Sequence, residues 1–121
     1  MSDKKRVLIV DDEYAFCKTL KVFFEKQGFE AHLSTNGEQA MDMIKDLHPD
    51  FMTLDIRMPG INGYEVLEKT KWVDDNIKII VISAIDVPTM EDSLMRLGAK
   101  AVINKPVDLN NLLDTVKRLL S

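Results

Sequence analysis

Five polar residues stand where short apolar runs end. Val7-Leu8-Ile9-Val10 runs into Asp11 and Asp12, Phe51-Met52-Thr53-Leu54 into Asp55, Ile79-Ile80-Val81-Ile82 into Ser83, and Ala101-Val102-Ile103 into Asn104-Lys105-Pro106. Three carboxylates, a hydroxyl and an ammonium are a set suited to phosphoryl chemistry. Gathered in one place, the acids and the lysine carry a charge of about −2, which is costly without a counter-ion. Oxygen ligands of this kind suit magnesium, which keeps several waters and binds through one or two carboxylates. Zinc is disfavoured, because the two histidines are His32 in an expected strand and His48 in an expected loop, and Cys17 is the only cysteine. Beside such a cation Asp55 could act as a nucleophile towards phosphorus, with Lys105 neutralising charge on the transferring oxygens and Ser83 hydrogen-bonding one of them. The aspartyl phosphate so formed could pull Ser83 and the loop after it inward.

Each residue alone also has an ordinary structural reading. Asp11-Asp12-Glu13 could complement the dipole of the first helix, Lys105 could be a solvated loop charge, and Asp55 ahead of Pro59-Gly60 is common turn chemistry. The joint pattern, at four separate strand ends, favours the functional reading.

The elements that would position these residues alternate. After the first strand, Phe16, Leu20, Phe23 and Phe24 mark a helical face that Gly28 stops. Residues 29–33 suit a second strand. Asn36 can cap a helix carrying Ala40, Met43, Ile44 and Leu47 inward, ending before the His48-Pro49 step. Asn62 with Glu65, and Thr89 with Asp92, read as capping pairs of a third and a fourth helix, the latter closed by Gly98. Asp108 opens an amphipathic last helix bearing Leu109, Leu112, Leu113, Val116, Leu119 and Leu120. Trp72 is expected to cover the apolar face of the third helix, and the methionines to fill core and helix surface. The pattern is α/β, a (βα)5 doubly wound sandwich. Its strands are parallel, so their carboxyl ends share one edge and the five polar residues meet there.

Composition fits one soluble domain over residues 1–121. The chain has 45% hydrophobic and 30% charged residues and a net charge of −4, which offers no general reason for it to bind nucleic acid. Cys17, between Phe16 and Leu20 on the helical stripe, reads as a buried inert thiol, and one cysteine allows no internal disulfide. The apolar run after Lys4-Lys5-Arg6 is too short for a signal peptide or a membrane span, so a cytoplasmic protein is the simplest reading.

On these motifs the chain resembles the receiver domains of two-component response regulators, over essentially residues 6–120. The likeness rests on Val7-Leu8-Ile9-Val10-Asp11-Asp12-Glu13, on Asp55-Ile56-Arg57-Met58-Pro59-Gly60-Ile61-Asn62-Gly63, on Ile82-Ser83-Ala84 and on Asn104-Lys105-Pro106. It implies a flavodoxin-like five-stranded sheet of order 2-1-3-4-5 and a phosphorelay switch that catalyses only its own phosphorylation and dephosphorylation. Asp55 would be the phosphoacceptor, with Mg2+ bound by Asp55 and Asp12 directly, by Asp11 through water and by the backbone carbonyl of Arg57. Ser83 and Lys105 would contact the phosphoryl group, and the bond before Pro106 would be cis. Phosphate would come from a histidine kinase, a phosphotransfer protein or a small donor such as acetyl phosphate. Arg57 and Ile85 would flank the phosphate and influence hydrolysis. One position departs from the family pattern: Val102 stands where relatives often carry the Tyr or Phe that swings inward on phosphorylation.

Three other readings compete on the same residues. A haloacid-dehalogenase-type phosphatase would need an Asp-x-Asp pattern, and Arg57 stands at its second place. A flavin carrier would need a phosphate-cradling loop where Asp11-Asp12-Glu13 stands. A docking module that needs no phosphorylation stays open. The downstream partner, a phosphorylation-dependent homodimer through the face of the fourth helix, fifth strand and last helix, and whether the chain is a whole regulator or a fragment also stay open.

Overall fold

The computed structural model describes residues 4–58, 62–84 and 87–121, with backbone alone at 87–89. Ten elements alternate: β1 Arg6–Val10, α1 Tyr14–Lys26, β2 Glu30–Ser34, α2 Gly37–Leu47, β3 Phe51–Leu54, α3 Gly63–Val73, β4 Lys78–Ser83, α4 Val87–Arg96, β5 Ala99–Asn104 and α5 Leu109–Leu120. The sheet has the order β2-β1-β3-β4-β5, and every pairing is parallel, as the sequence predicts.

Because helices cover both faces, the strands are apolar on both. Leu8, Val10, Met52, Leu54, Ile79 and Val81 join Ala40, Ile44, Val66, Leu67 and Leu94 beneath α2, α3 and α4. Their neighbours Val7, Ile9, Phe51, Ile80 and Ile82 join Cys17, Leu20, Phe24, Leu112 and Val116 beneath α1 and α5. Phe24 anchors the second face through edge contacts with Phe23, Phe29 and Phe51 at centroid distances of 5.3–5.7 Å.

The expected caps form. Asn36 accepts from the Gln39 N–H, Asn62 from the Glu65 N–H, and Asp108 from the N–H groups of Asn110 and Asn111. Gly28 ends α1 at φ 94°, a conformation that glycine adopts without steric cost. α2 ends at Leu47 with His48 as its C-cap, before the His48-Pro49 step, as expected.

Three expectations need correction. The second strand spans Glu30–Ser34 rather than 29–33, because Phe29 is drawn into the aromatic cluster instead of the strand. The fourth helix already begins at Val87, and the side chain of Thr89 lies outside the described residues. Trp72 covers nothing: α3 buries Gly63, Val66, Leu67 and Thr70, and position 72 turns away from that face, leaving the indole 85% exposed. Of the methionines, Met41 and Met52 are buried in the core, whereas Met95 is exposed.

Candidate functional site

Strand register brings the acids together. Val10 pairs with Leu54, so Asp11 and Asp55, one residue beyond each, leave the sheet side by side. The Asp55 N–H donates to the Val10 carbonyl at 2.9 Å and the Asp11 N–H to the Ser34 carbonyl at 3.1 Å, so both backbones are fixed at the sheet edge. Carboxylate oxygens of Asp11, Asp12 and Asp55 all lie within 4.8 Å of one another. Asp11 and Asp55 are buried and Asp12 is exposed. Ser83 is buried at the end of β4, paired with Asn104 of β5, and its carbonyl accepts the Lys105 N–H at 2.9 Å. The Lys105-Pro106 peptide is cis.

Lys105 reaches back across this edge. Its Nζ lies 2.8 Å from Asp11 Oδ2, 3.0 Å from Glu13 Oε1 and 3.6 Å from Asp55 Oδ2, and 4.6 Å above the centroid of the Phe16 ring. The contact with Asp11 Oδ2 is a close, buried ion pair. The other Asp11 oxygen accepts the Glu13 N–H at 2.9 Å, and Asp55 Oδ1 accepts the Arg57 N–H at 3.1 Å.

The charges respond as such crowding requires. Burial pushes the Asp11 carboxyl above its ordinary value, opposed by Lys105 and the Glu13 N–H, and the charge of Asp55 adds to the rise. Burial likewise raises Asp55, opposed by the Arg57 N–H and Lys105 and assisted by Asp12. Burial works against the Lys105 charge too, but Asp11, Glu13 and Asp55 outweigh it and hold the ammonium above its usual range. The Cys17 thiol, buried and facing the Asp11 charge, is pushed up to about 12; it donates to the Asp11 carbonyl at 3.2 Å and is no nucleophile.

This donor set fits magnesium. Three hard oxygen ligands converge, and the buried Asp11 Oδ2 already faces a positive charge, the Lys105 ammonium at 2.8 Å, whose place a bound cation would take. All five strand-end residues thus come to one edge, with Arg57 beside them. Val102 lies elsewhere, partly buried on the α4 side with Tyr64, Met90 and Leu97. Ile85 lies outside the described residues.

Two supports escaped the sequence reading. Glu13 and Phe16 engage Lys105 across a wide gap in sequence, which only the residue types at the start of α1 could have hinted at. Gly63 sits so close behind the site that a Cβ there would meet the backbone of Asp55 and Ile56, and its N–H donates to the Ile56 carbonyl at 2.9 Å. The Gly after the Asn62 cap was the available signal.

A parallel sheet of this order, with a strand-edge acid cluster and a facing lysine, defines a phosphoryl-accepting switch. Comparison agrees: the response regulator receiver domain family matches residues 7–117, and the chain belongs to that family. It is 35% identical over 116 residues to sporulation initiation phosphotransferase F of Bacillus subtilis, covering 96% of this chain and 94% of that protein. It is 38% identical to the chemotaxis protein CheY of Thermotoga maritima, covering 95% and 97%. Among solved structures, a CheY-like receiver domain from Methanospirillum hungatei superposes with a TM-score of 0.93 at 29% identity, covering 98% of this chain and 94% of that one. The Thermotoga maritima response regulator TrrA, solved with Mg2+ and BeF, gives 0.86 at 33%, covering 96% and 99%. The chain is therefore a receiver domain of two-component signalling. Among the described residues no helix is long and apolar enough to cross a membrane.

Proposed function

We propose that Asp55 is the phosphoacceptor of this receiver, taking the phosphoryl group from the phosphohistidine of a histidine kinase or phosphotransfer protein, or from a small donor such as acetyl phosphate. The observation that carries this reading is the convergence of three carboxylates within 4.8 Å, with Lys105 Nζ 3.6 Å from Asp55 Oδ2. In the transfer an Asp55 carboxylate oxygen forms a bond to phosphorus as the bond from phosphorus to the donor's nitrogen or oxygen breaks, and the electron pair leaves with the donor. Asp55 has to be ionised for this, and the Arg57 N–H and Lys105 both favour the charged form against burial.

Asp11, Asp12 and Asp55, with the Arg57 carbonyl, are the groups that would hold Mg2+, which when bound supplies positive charge beside the transferring oxygens. Lys105 would add a second positive charge, and Ser83, buried at the end of β4, would donate to a phosphoryl oxygen. That contact would draw the β4 end towards Asp55 and pass the change to the α4 and β5 surface, where Val102 takes the place of an aromatic ring. Downstream contact would be with a protein or a second copy of the domain.

Intact mass after incubation with acetyl phosphate tests this. One phosphoryl adduct that requires both magnesium and Asp55, and is absent from Asp55→Asn, is expected. An adduct that survives that substitution would refute Asp55 as acceptor.

A further inference from the structure

Glu13 occupies the N-cap position of α1 yet makes no capping bond with its side chain. The carboxylate instead accepts a hydrogen bond from Lys105 at 3.0 Å, although the Glu13 side chain is 66% exposed and free to extend into water. A second contact from the same segment has the same target, for the Phe16 ring lies 4.6 Å beneath the Lys105 ammonium. Together they hold the ammonium on the β1–α1 side of the site, nearer Asp11 and Glu13 than Asp55.

We infer that Glu13 is a positioning residue that parks Lys105: its carboxylate, with the Phe16 ring as a floor, keeps the ammonium beside α1 and has to release it before Lys105 meets a phosphoryl group on Asp55. The inference rests on Asp55 being the phosphoacceptor. A phosphoryl group adds negative charge on the β3 side, so Lys105 is drawn there and away from Glu13. The Glu13 bond is intact before transfer and weakened after it. Its loss therefore adds to the barrier of phosphorylation, while hydrolysis, which starts with Lys105 already on the phosphoryl oxygens, does not include it.

That asymmetry is the test. Glu13→Gln removes the charge, and Glu13→Asp keeps the charge but draws it back by one methylene. Both are expected to speed phosphorylation by acetyl phosphate at saturating Mg2+ about two- to fivefold, the size expected of a partly exposed ion pair. Both are expected to leave the dephosphorylation rate unchanged. In a Lys105→Ala background, Glu13→Gln is expected to have no effect on the phosphorylation rate. Equal acceleration of both rates, wild-type behaviour of Glu13→Asp, or an effect that persists without Lys105 would each overturn the inference in favour of a general charge effect. A second readout needs neither metal nor phosphate: in 15N spectra of lysine ammonium groups the Lys105 signal should be protected from exchange in the parent protein and broadened in Glu13→Gln, and an unchanged signal would also sink the proposal. Failure of the parent protein to take up phosphate, with the ammonium signal behaving as expected, would instead count against Asp55 as acceptor.

Discussion

Asp11 and Asp55 are buried carboxylates facing each other, and burial raises both above the ordinary value of about 4. A folded state that binds protons more tightly than the unfolded one loses stability as pH rises through the interval between the two affinities. The contribution of these two groups to metal-free stability is thus largest at the acid side and declines towards neutrality. Other acids titrate in the same range, among them Glu30, which its bond to His32 lowers and which works in the opposite sense. The difference between the parent protein and Asp55→Asn isolates the cluster. Asp55→Asn is expected to raise the metal-free melting temperature at neutral pH by roughly 2–5 °C, about 1 kcal/mol for a domain of this size, and to lose that advantage in acid. Thermal unfolding at several pH values in the presence of a chelator reads this directly. A constant difference across pH would mean that packing rather than charge is responsible. The meeting of Asp11, Asp12, Asp55, Ser83 and Lys105 was legible in the sequence because each lies at or just past the end of an apolar strand run. Glu13 was not, since its bond to Lys105 spans 92 positions and no local pattern encodes such a contact.

At the scale of elements, what decides the site is how closely α3 approaches the end of β3. Asn62 caps α3, and Gly63 follows with its N–H on the Ile56 carbonyl. A Cβ at Gly63 would lie against the backbone of Asp55 and Ile56, where no flexible side chain can yield. Gly63→Ala is expected to cost about 2 kcal/mol, the range of overpacked core substitutions, and to slow phosphorylation because the strand end carrying Asp55 has to shift. Urea unfolding measures the first effect and acetyl phosphate kinetics the second. An unperturbed urea midpoint would show that α3 can move outward without strain. Capping residues and helical period made the element order readable, and glycine stops located the ends of α1 and α4. Boundaries set by tertiary packing were less accessible: Phe29 leaves the second strand for an aromatic cluster with residues of α1 and β3, and Trp72 carries an apolar side chain that is left 85% exposed.

Across the whole molecule, the helices differ in how much of their described surface they bury. The α1 and α5 side holds the edge-packed rings of Phe24, Phe29 and Phe51 with Leu112 and Val116, and both sides have partly buried side chains at their margins, Tyr64, Met90, Leu97 and Val102 on one and Phe23, Leu109, Leu119 and Leu120 on the other. Among the described side chains of α4, Leu94 alone is fully buried. Segments with few buried apolar contacts open at the smallest free-energy cost, so a perturbation at the β4 end will be expressed there rather than spread evenly. The link between α3 and α4, from the Tyr64 hydroxyl to Met90 Sδ at 3.6 Å, is long and weak, which suits a contact that changes partner as α4 shifts. With valine at position 102, a response carried by a swinging ring is not expected at that place, and α4 is the element expected to carry it. Amide hydrogen exchange with and without a bound phosphoryl analogue and Mg2+ tests this. Exchange in residues 90–96 and in β5 is expected to change several-fold, while amides of α1 and α5 over the aromatic core stay within experimental error. A uniform slowing throughout the domain would indicate simple stabilisation by ligand, and would leave α4 without a special part in signalling.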